Sequence, residues 1–507
     1  MREASSSASW LLRLTQLGLF LTLLTPLVAS DRFMYPLVFP RTIYFRLVVA
    51  CTAAAYLGLL SFRPEFTPNF RSPLTAAILL YLAVQALAAL AGVNPYVSFA
   101  STIARSEGVL TLAHLVVFFL IASAVWRTPQ SWRGALECAL AVIFLHALLG
   151  LAQAFGLPGV PTFRSDRPTG LMGNPAFFST LLLFGIWLPL LLHLGFLGGN
   201  RPTSWLTRCW HLLVVGVSAV NLWLTQIRGT HSAMLAVAVA VLAIISRRAG
   251  SHAARRTATV ALTAALLAVG TVFFARHTAL VAWNPTLKRL AQVNWSTITL
   301  QNRLISWNVG MAGWRERPVL GWGPENFGVV FDRHFNPALV RDWGSFSWYD
   351  RAHNVVVETL VGSGLAGLTT YLAIFAMAGW AIAKISRRGH QGAALAAAAL
   401  IAAYGLQNLT VFDTLNSLLL FFLVLGALAM AAADLPSRPL GHAVSRGAVA
   451  SAAVIIGMLT VALNITPATA TYHASQVHLD QQRTLPQVQQ DYLQALRLSP
   501  PQRHEFR

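Results

Sequence analysis

Charged residues are scarce in this chain of 507 residues, and acidic ones are the scarcest. Only 11% of the residues are Asp, Glu, Lys or Arg, whereas 56% are hydrophobic. This composition excludes an ordinary soluble protein and predicts a polytopic membrane protein. The three cysteines, Cys51, Cys138 and Cys209, have no CxxC spacing, so the sequence indicates neither a disulfide framework nor a zinc site.

The shortage of acidic residues leaves a formal net charge of +20. The basic residues are spread over loops on both predicted faces of the membrane, without a nucleic-acid-binding motif, so we predict no nucleic-acid partner. Every second short loop between the predicted spans is enriched in Lys and Arg. This enrichment predicts that these loops and the N-terminus are cytoplasmic. Basic residues also remain on the outer face, where they should be rare, and this excess predicts an anionic ligand there.

Apolar segments dominate the rest of the chain. They predict an all-α polytopic membrane protein of about 12–13 transmembrane helices, with one large external loop that contains short interfacial helices. We divide it into membrane helices over 1–275, an external loop over 276–353, membrane helices over 354–466 and an external soluble tail over 467–507.

The tail contains Tyr492, Ala495, Leu496 and Pro500, a spacing that looks like the second helix of a tetratricopeptide repeat. A single repeat cannot bury its apolar face alone. Either the repeats continue beyond this sequence or the tail docks on something else, such as a protein partner.

The loop before the tenth predicted span is the longest polar interruption of the chain. Within it, Arg303, Trp307, Met311 and Trp314 recur at helical spacing, which predicts a short helix lying flat at the membrane surface. Pro318 ends that helix. The turn that follows contains Gly321 and Gly323.

His353 and Asn354 stand where a new apolar run begins. We predict that His353 lies in the first turn of a helix, where the helix dipole favours the neutral imidazole that can accept a proton. Glu358 follows one turn later on the same helix. It either orients Asn354 or a nearby arginine, or forms a structural pair without a catalytic part.

Two further arginines face outward in this prediction. Arg167 precedes Gly170 and the pair Asn174-Pro175, which otherwise reads as an ordinary capped helix start. Arg228 interrupts two apolar runs without an acidic neighbour, so a bound anion is a reasonable partner, and snorkelling to the lipid headgroups is the alternative. Because Asp350, His353 and His334 lack metal-ligand spacing, we predict no metal and no cofactor.

The order of these motifs resembles the O-antigen ligase and polymerase superfamily of bacterial envelope glycosyltransferases. The motifs are Arg303-x-x-x-Trp307, Pro318-x-x-Gly321-x-Gly323-x-x-x-Phe327, His353-Asn354, and a span with Gly362-x-Gly364-x-x-Gly367. The resemblance implies a metal-independent transferase that moves a preassembled glycan from a polyprenyl diphosphate carrier to an acceptor. It implies His353 as the catalytic base, and Arg228, Arg303 and Arg167 as ligands of the diphosphate. Asn354, Glu358, Trp307, Gly321 and Gly323 are the supporting residues.

The family's setting is the bacterial inner membrane, with the active site facing the periplasm. The preferred acceptor is lipid A-core, which would make the protein an O-antigen ligase. The alternatives are a growing glycan, in a polymerase, or a protein Ser or Thr, in an O-oligosaccharyltransferase. A lipid or glycan transporter is the alternative from a different class.

Overall fold

The structure is a computed structural model that describes residues 2–163, 165–197, 204–291, 297–342, 344, 348–433, 445–479 and 484–498. Within these ranges every regular element is a helix. Pro500, part of the repeat-like pattern, lies outside them. The helices are, in chain order, α1 (Arg2–Leu23), α2 (Phe39–Phe62), α3 (Pro73–Ala91), α4 (Pro95–Ala100), α5 (Val109–Val125), α6 (Pro129–Ala154), α7 (Pro175–His193), α8 (Trp205–Thr225), α9 (Arg228–Arg248), α10 (His252–Phe274), α11 (Ala279–Trp283), α12 (Pro285–Ala291), α13 (Ile298–Glu316), α14 (Phe327–Arg333), α15 (Ala338–Arg341), α16 (Val355–Arg387), α17 (Gln391–Asn408), α18 (Leu415–Ala431), α19 (Arg446–Thr460), α20 (Thr466–Leu479) and α21 (Leu485–Leu498).

Eight helical segments in the described residues are long and apolar enough to cross a membrane. They are α2, α3, α6, α7, α9, α10, α16 and the segment Gly447–Val477, while α5 and α18 are shorter apolar helices. The remaining apolar segments predicted from the sequence coincide with α1, α8 and α17. The prediction of an all-α polytopic membrane protein is therefore confirmed.

The interior of the helix bundle is filled by apolar and aromatic side chains. Trp126 packs against Trp132 with ring centroids 5.2 Å apart, and Tyr404 stacks on Phe421 at 4.5 Å. By contrast, α10 and the segment Gly447–Val477 bury only 6% of their most apolar windows. These helices lie at the edge of the bundle, where lipid chains can cover their apolar faces.

The long helix α16 is broken at Gly364, whose φ of 64° and ψ of −161° are not helical. The loop after α13 fills the break. The amide of Leu365 donates to the carbonyl of Pro318 at 2.8 Å, and the amide of Trp322 donates to the carbonyl of Val361 at 2.8 Å. Because unpaired backbone groups are costly in a membrane, this exchange both permits the break and fixes the loop on α16.

The tail helices α20 and α21 pack against the membrane part of the same chain. Ala470, Ala474 and Ala495 are fully buried in a cluster that includes Phe39 and Ile103. The apolar face of the repeat-like hairpin is therefore covered by this protein's own N-terminal half. The tail thus docks intramolecularly.

Candidate active site

His353 lies two residues before α16, on a backbone with a φ of 54°. Its Nδ1 is 3.2 Å from the carbonyl oxygen of Arg351. A carbonyl can only accept, so Nδ1 carries the proton of the neutral ring and Nε2 keeps its lone pair. Phe412 and Tyr349 flank the ring edge-to-face, with centroid distances of 5.1 and 5.7 Å. The neutral ring can therefore take up a proton only at Nε2.

The pKa of His353 lies below its ordinary value. Burial is the main cause, and the neighbouring Arg303 and Arg105 lower it further because they disfavour another positive charge. His353 precedes the helix instead of lying in its first turn, so the predicted position is corrected by two residues. Burial and the neighbouring arginines favour the neutral imidazole.

Asn354 is the N-cap of α16. Its Oδ1 accepts hydrogen bonds from the amides of Val356 at 2.9 Å and Val357 at 3.3 Å. These bonds satisfy two amides that the helix itself leaves without partners. Asn354 thereby fixes the point at which the backbone leaves the helix and turns to His353.

Arg228 and Arg167 are anchored to the backbone of neighbouring segments. Arg228, the first residue of α9, donates from Nε to the carbonyl of Arg289 at 2.8 Å. Arg167 donates from Nη1 to the carbonyl of Thr225, the last residue of α8, at 3.0 Å. The hydroxyl of Thr286 in α12 also bonds to this end of α8, at 3.0 Å. These contacts bring the ends of α8, α9 and α12 together.

Arg303 joins this group. Burial lowers its pKa, and the positive charge of Arg228 lowers it further. Burial likewise lowers the pKa of Arg167, with a further contribution from Arg289. In the part of the chain that the structure describes, no carboxylate lies within 4.0 Å of these side chains. We call Arg167, Arg228, Arg289 and Arg303 the arginine cluster. Guanidinium groups gathered in this way can bind an anion through charge-assisted, bidentate hydrogen bonds.

The helix α13 packs through a face that the sequence did not single out. Its buried residues are Asn302, Ile305, Ser306, Val309, Gly310 and Gly313. The predicted row of Arg303, Trp307, Met311 and Trp314 runs beside this face and is half-buried. The indole of Trp307 donates to the carbonyl of Ala352 at 3.0 Å, which ties α13 to the residue before His353.

Gly321 and Gly323 hold the turn after α13 against its neighbours. Their φ angles are 67° and 92°, which disfavour any residue with a Cβ. A Cβ at Gly321 would lie 2.4 Å from the carbonyl oxygen of Val361, and one at Gly323 would lie 2.6 Å from Oγ of Ser98. Both glycines therefore serve the close packing of the loop on α16 and α4.

Glu358 pairs with an arginine, which is compatible with both predictions for it. Its Oε1 is 3.3 Å from Nη1 of Arg351, and its Oε2 accepts from the amide of Ala352 at 2.6 Å. The guanidinium of Arg351 also contacts Glu107 and Glu325. We call Glu107, Glu325 and Glu358 the carboxylate cage of Arg351.

Two of the cavities in the described part of the structure border Arg351. One of about 440 Å³ is bordered by Arg105, Asp350 and Trp348 and by Thr471 of the tail. Arg105 and Asp350 form a bidentate pair with distances of 2.6 and 2.9 Å. A smaller cavity of about 150 Å³ reaches the carboxylate cage. The larger cavity gives a small polar molecule access to the Arg105 and Asp350 pair.

Comparison with known families agrees with this geometry. Residues 213–372 match the O-antigen ligase family. The match confirms the resemblance to the O-antigen ligase and polymerase superfamily. It includes Arg228, Arg303 and His353 and ends within α16, whereas Arg167 lies before it. No curated protein matches the chain.

Sequence reasoning missed three members of the candidate site. Arg289 carries no motif and lies in a short polar helix, α12. Glu107 and Glu325 are separated from Arg351 by 244 and 26 positions, so no local pattern relates all three. The available signal was the rarity of acidic residues, since a Glu directly before an apolar run needs a partner.

Proposed function

We propose that this protein transfers a preassembled glycan from a polyprenyl diphosphate carrier to an acceptor hydroxyl at the periplasmic face of the bacterial inner membrane. The family match supports glycan transfer of the O-antigen ligase or polymerase type. The observation that carries the finer proposal is the arginine cluster beside His353, whose Nε2 has a lone pair. Lipid A-core is the proposed acceptor.

In this proposal the arginine cluster binds the diphosphate of the donor. Arg228 and Arg303 contact its oxygens, and Arg167 and Arg289 add positive charge. Among the described residues the cluster has no carboxylate within 4.0 Å, and Asp166 acts on Arg167 only from a longer distance, so a diphosphate would supply the close anionic partner. Because diphosphate is a good leaving group once its charge is stabilised, the reaction needs no metal ion.

His353 acts as the general base. An oxygen of the acceptor attacks the anomeric carbon of the glycan while the bond from that carbon to the diphosphate oxygen breaks. The hydroxyl proton passes to Nε2 of His353, and the electron pair leaves with the polyprenyl diphosphate. Nδ1 stays protonated and bonded to the carbonyl of Arg351, which keeps the ring in one orientation.

The proposed orientation has the N-terminus in the cytoplasm. Residues 276–353 then form a periplasmic catalytic loop between the membrane helices of 1–275 and 354–466, and the tail of 467–507 is periplasmic as well. The excess of Lys and Arg in the loops assigned to the cytoplasm supports this arrangement.

The decisive experiment supplies purified protein in lipid nanodiscs with a polyprenyl diphosphate-linked glycan and one acceptor at a time. The acceptors are lipid A-core, a second lipid-linked glycan and a Ser- and Thr-containing peptide, and mass spectrometry identifies the product. Glycosylated lipid A-core is expected, with turnover unchanged by a chelator. A longer lipid-linked glycan would instead establish a polymerase, and a glycopeptide a protein glycosyltransferase. Movement of the donor across the bilayer without any transfer would establish the transporter.

A further inference from the structure

The guanidinium of Arg351 is buried among three carboxylates. Its Nη2 lies 2.7 Å from Glu325 and 3.2 Å from Glu107, and its Nη1 lies 3.3 Å from Glu358. The side chain of Arg351 is only 8% exposed. A buried arginine with this many partners is held in one position, because moving it would leave charges unpaired.

The cage joins parts of the chain that are distant in sequence. Glu107 precedes α5, Glu325 lies between the glycine turn and α14, and Glu358 belongs to the first turn of α16. Glu325 has a φ of 67° and accepts a hydrogen bond from Oγ of Ser101 at 2.5 Å. Arg351 therefore connects the start of α5, the start of α16 and the loop before α14 at one point.

This point is also where the backbone of His353 is held. The carbonyl of Arg351 accepts from Nδ1 of His353, the amide of Ala352 donates to Glu358, and the carbonyl of Ala352 accepts from Trp307. His353 itself has a φ of 54°, which is unfavourable for a residue with a side chain. The surrounding contacts must therefore maintain this conformation.

We propose that Arg351, held by Glu107, Glu325 and Glu358, is a positioning residue that fixes the Nδ1–H tautomer of His353 and directs Nε2 towards the acceptor. This inference rests on the proposed role of His353 as a base. Arg351 borders two cavities, but in this proposal the cage holds its guanidinium and it touches no reacting atom.

The charge of the carboxylate cage should make turnover depend on pH. Three ionised carboxylates around one guanidinium would leave an excess of buried negative charge, and Asp350 is already paired with Arg105. Burial raises the pKa of Glu107 to about 8, and Glu325 and Asp413 raise it while Arg351 and Arg105 oppose them. At neutral pH Glu107 therefore carries a proton, and burial also raises the pKa of Glu358 while Arg351 opposes this.

Above a pH of about 8, Glu107 ionises and competes for the same guanidinium. The geometry that holds the carbonyl of Arg351 then changes, so turnover falls on the alkaline side. His353 cannot account for this limb, because its pKa lies below its ordinary value and it is already neutral there.

Two variants of Arg351 and one of Glu107 test the inference. Arg351→Met and Arg351→Lys should lower kcat at least about tenfold with little change in the KM for the lipid-linked donor, because the arginine cluster is intact. Glu107→Gln keeps the shape of the side chain but cannot ionise, so the alkaline fall of kcat should disappear. The matched control is Glu316→Gln, which removes a carboxylate from the more exposed pair with Arg333 and should leave the pH profile unchanged.

Normal kcat in both Arg351 variants would overturn the inference. An alkaline fall that persists unchanged in Glu107→Gln would also overturn it, and that variant decides the matter if Arg351 variants fail to fold.

A second readout does not require turnover: the rate at which diethyl pyrocarbonate modifies His353, followed by mass spectrometry. His353 should react faster in Arg351→Lys than in the wild type, since the ring loses its fixed orientation, and an equal rate would contradict the positioning role. If the wild type transfers no glycan, the proposed function fails, while this rate still tests the positioning.

Discussion

Replacing His353 by Asn removes the proposed base but should keep the backbone conformation at this position. Asn adopts a φ near 54° more readily than most residues, so the backbone of position 353 should be kept. Its amide can also donate to the carbonyl of Arg351, as Nδ1 does now at 3.2 Å. What Asn lacks is a group that accepts a proton at neutral pH, so His353→Asn should affect the chemical step alone.

Loss of a general base lowers the rate by about 10²- to 10⁴-fold, which corresponds to about 3–5 kcal/mol of transition-state stabilisation. Donor binding should stay within about twofold, because the arginine cluster is untouched. The assay is glycan transfer in nanodiscs, with donor affinity measured separately on the same preparations. His334→Asn is the control, since that side chain pairs with Glu316 at 2.9 Å and should be dispensable.

The acid side of the pH profile gives an independent check. A base works in its deprotonated form, and the pKa of His353 is lowered by burial and by Arg303 and Arg105. In the kcat/KM profile for the donor, which reports the free enzyme, activity should therefore be full at pH 7 and fall only below the ordinary histidine pKa, and His353→Asn should lack this fall. Activity of His353→Asn near the wild-type level, or loss of donor binding equal to the loss of turnover, would refute the role of His353.

Three further predictions concern the arginine cluster, the turn at Gly321 and the orientation in the membrane. Arg228→Lys and Arg303→Lys keep the charge but lose the bidentate fork, so each should lower kcat/KM more than tenfold, or above ~1.4 kcal/mol, and near-normal values in both would remove them from the site. Gly321→Ala should destabilise the protein by at least about 1–2 kcal/mol in thermal unfolding, since its φ is 67° and a Cβ would meet Val361, whereas Gly270→Ala, with open space around it, should not. A cysteine at Ser345, outside the described residues, should react with a membrane-impermeant reagent from the periplasm, and labelling only from the cytoplasm would overturn the proposed orientation.

The sequence predicted the helices and several site residues for one physical reason. In a chain that is mostly apolar, a polar residue at the end of an apolar run has few explanations other than a functional role. His353, Arg228 and Arg303 stood out in this way, and their structural surroundings agree with a binding site for an anion beside a base. Whether they act as proposed stays a prediction.

The carboxylate cage could not be predicted in the same way. Glu107 and Glu325 become partners of Arg351 only after α16 breaks at Gly364 and the loop after α13 packs into the break. Such contacts depend on packing between distant segments, for which one sequence holds no local signal. The pKa of His353 is lowered in the predicted direction, and burial, which the sequence did not reveal, is the largest cause.

Arg303, a member of the arginine cluster, has two opposite effects on His353. Its positive charge lowers the pKa of the imidazole, which keeps His353 neutral but also weakens it as a base. A bound diphosphate would cancel this effect, so the pKa of His353 should rise when the donor binds. The kcat/KM profile for the donor reports the free enzyme and the kcat profile reports the donor complex, so the acid limb should lie at higher pH in kcat. Identical acid limbs in the two profiles would show that the diphosphate does not sit next to Arg303, and the donor would then have to bind elsewhere on this face.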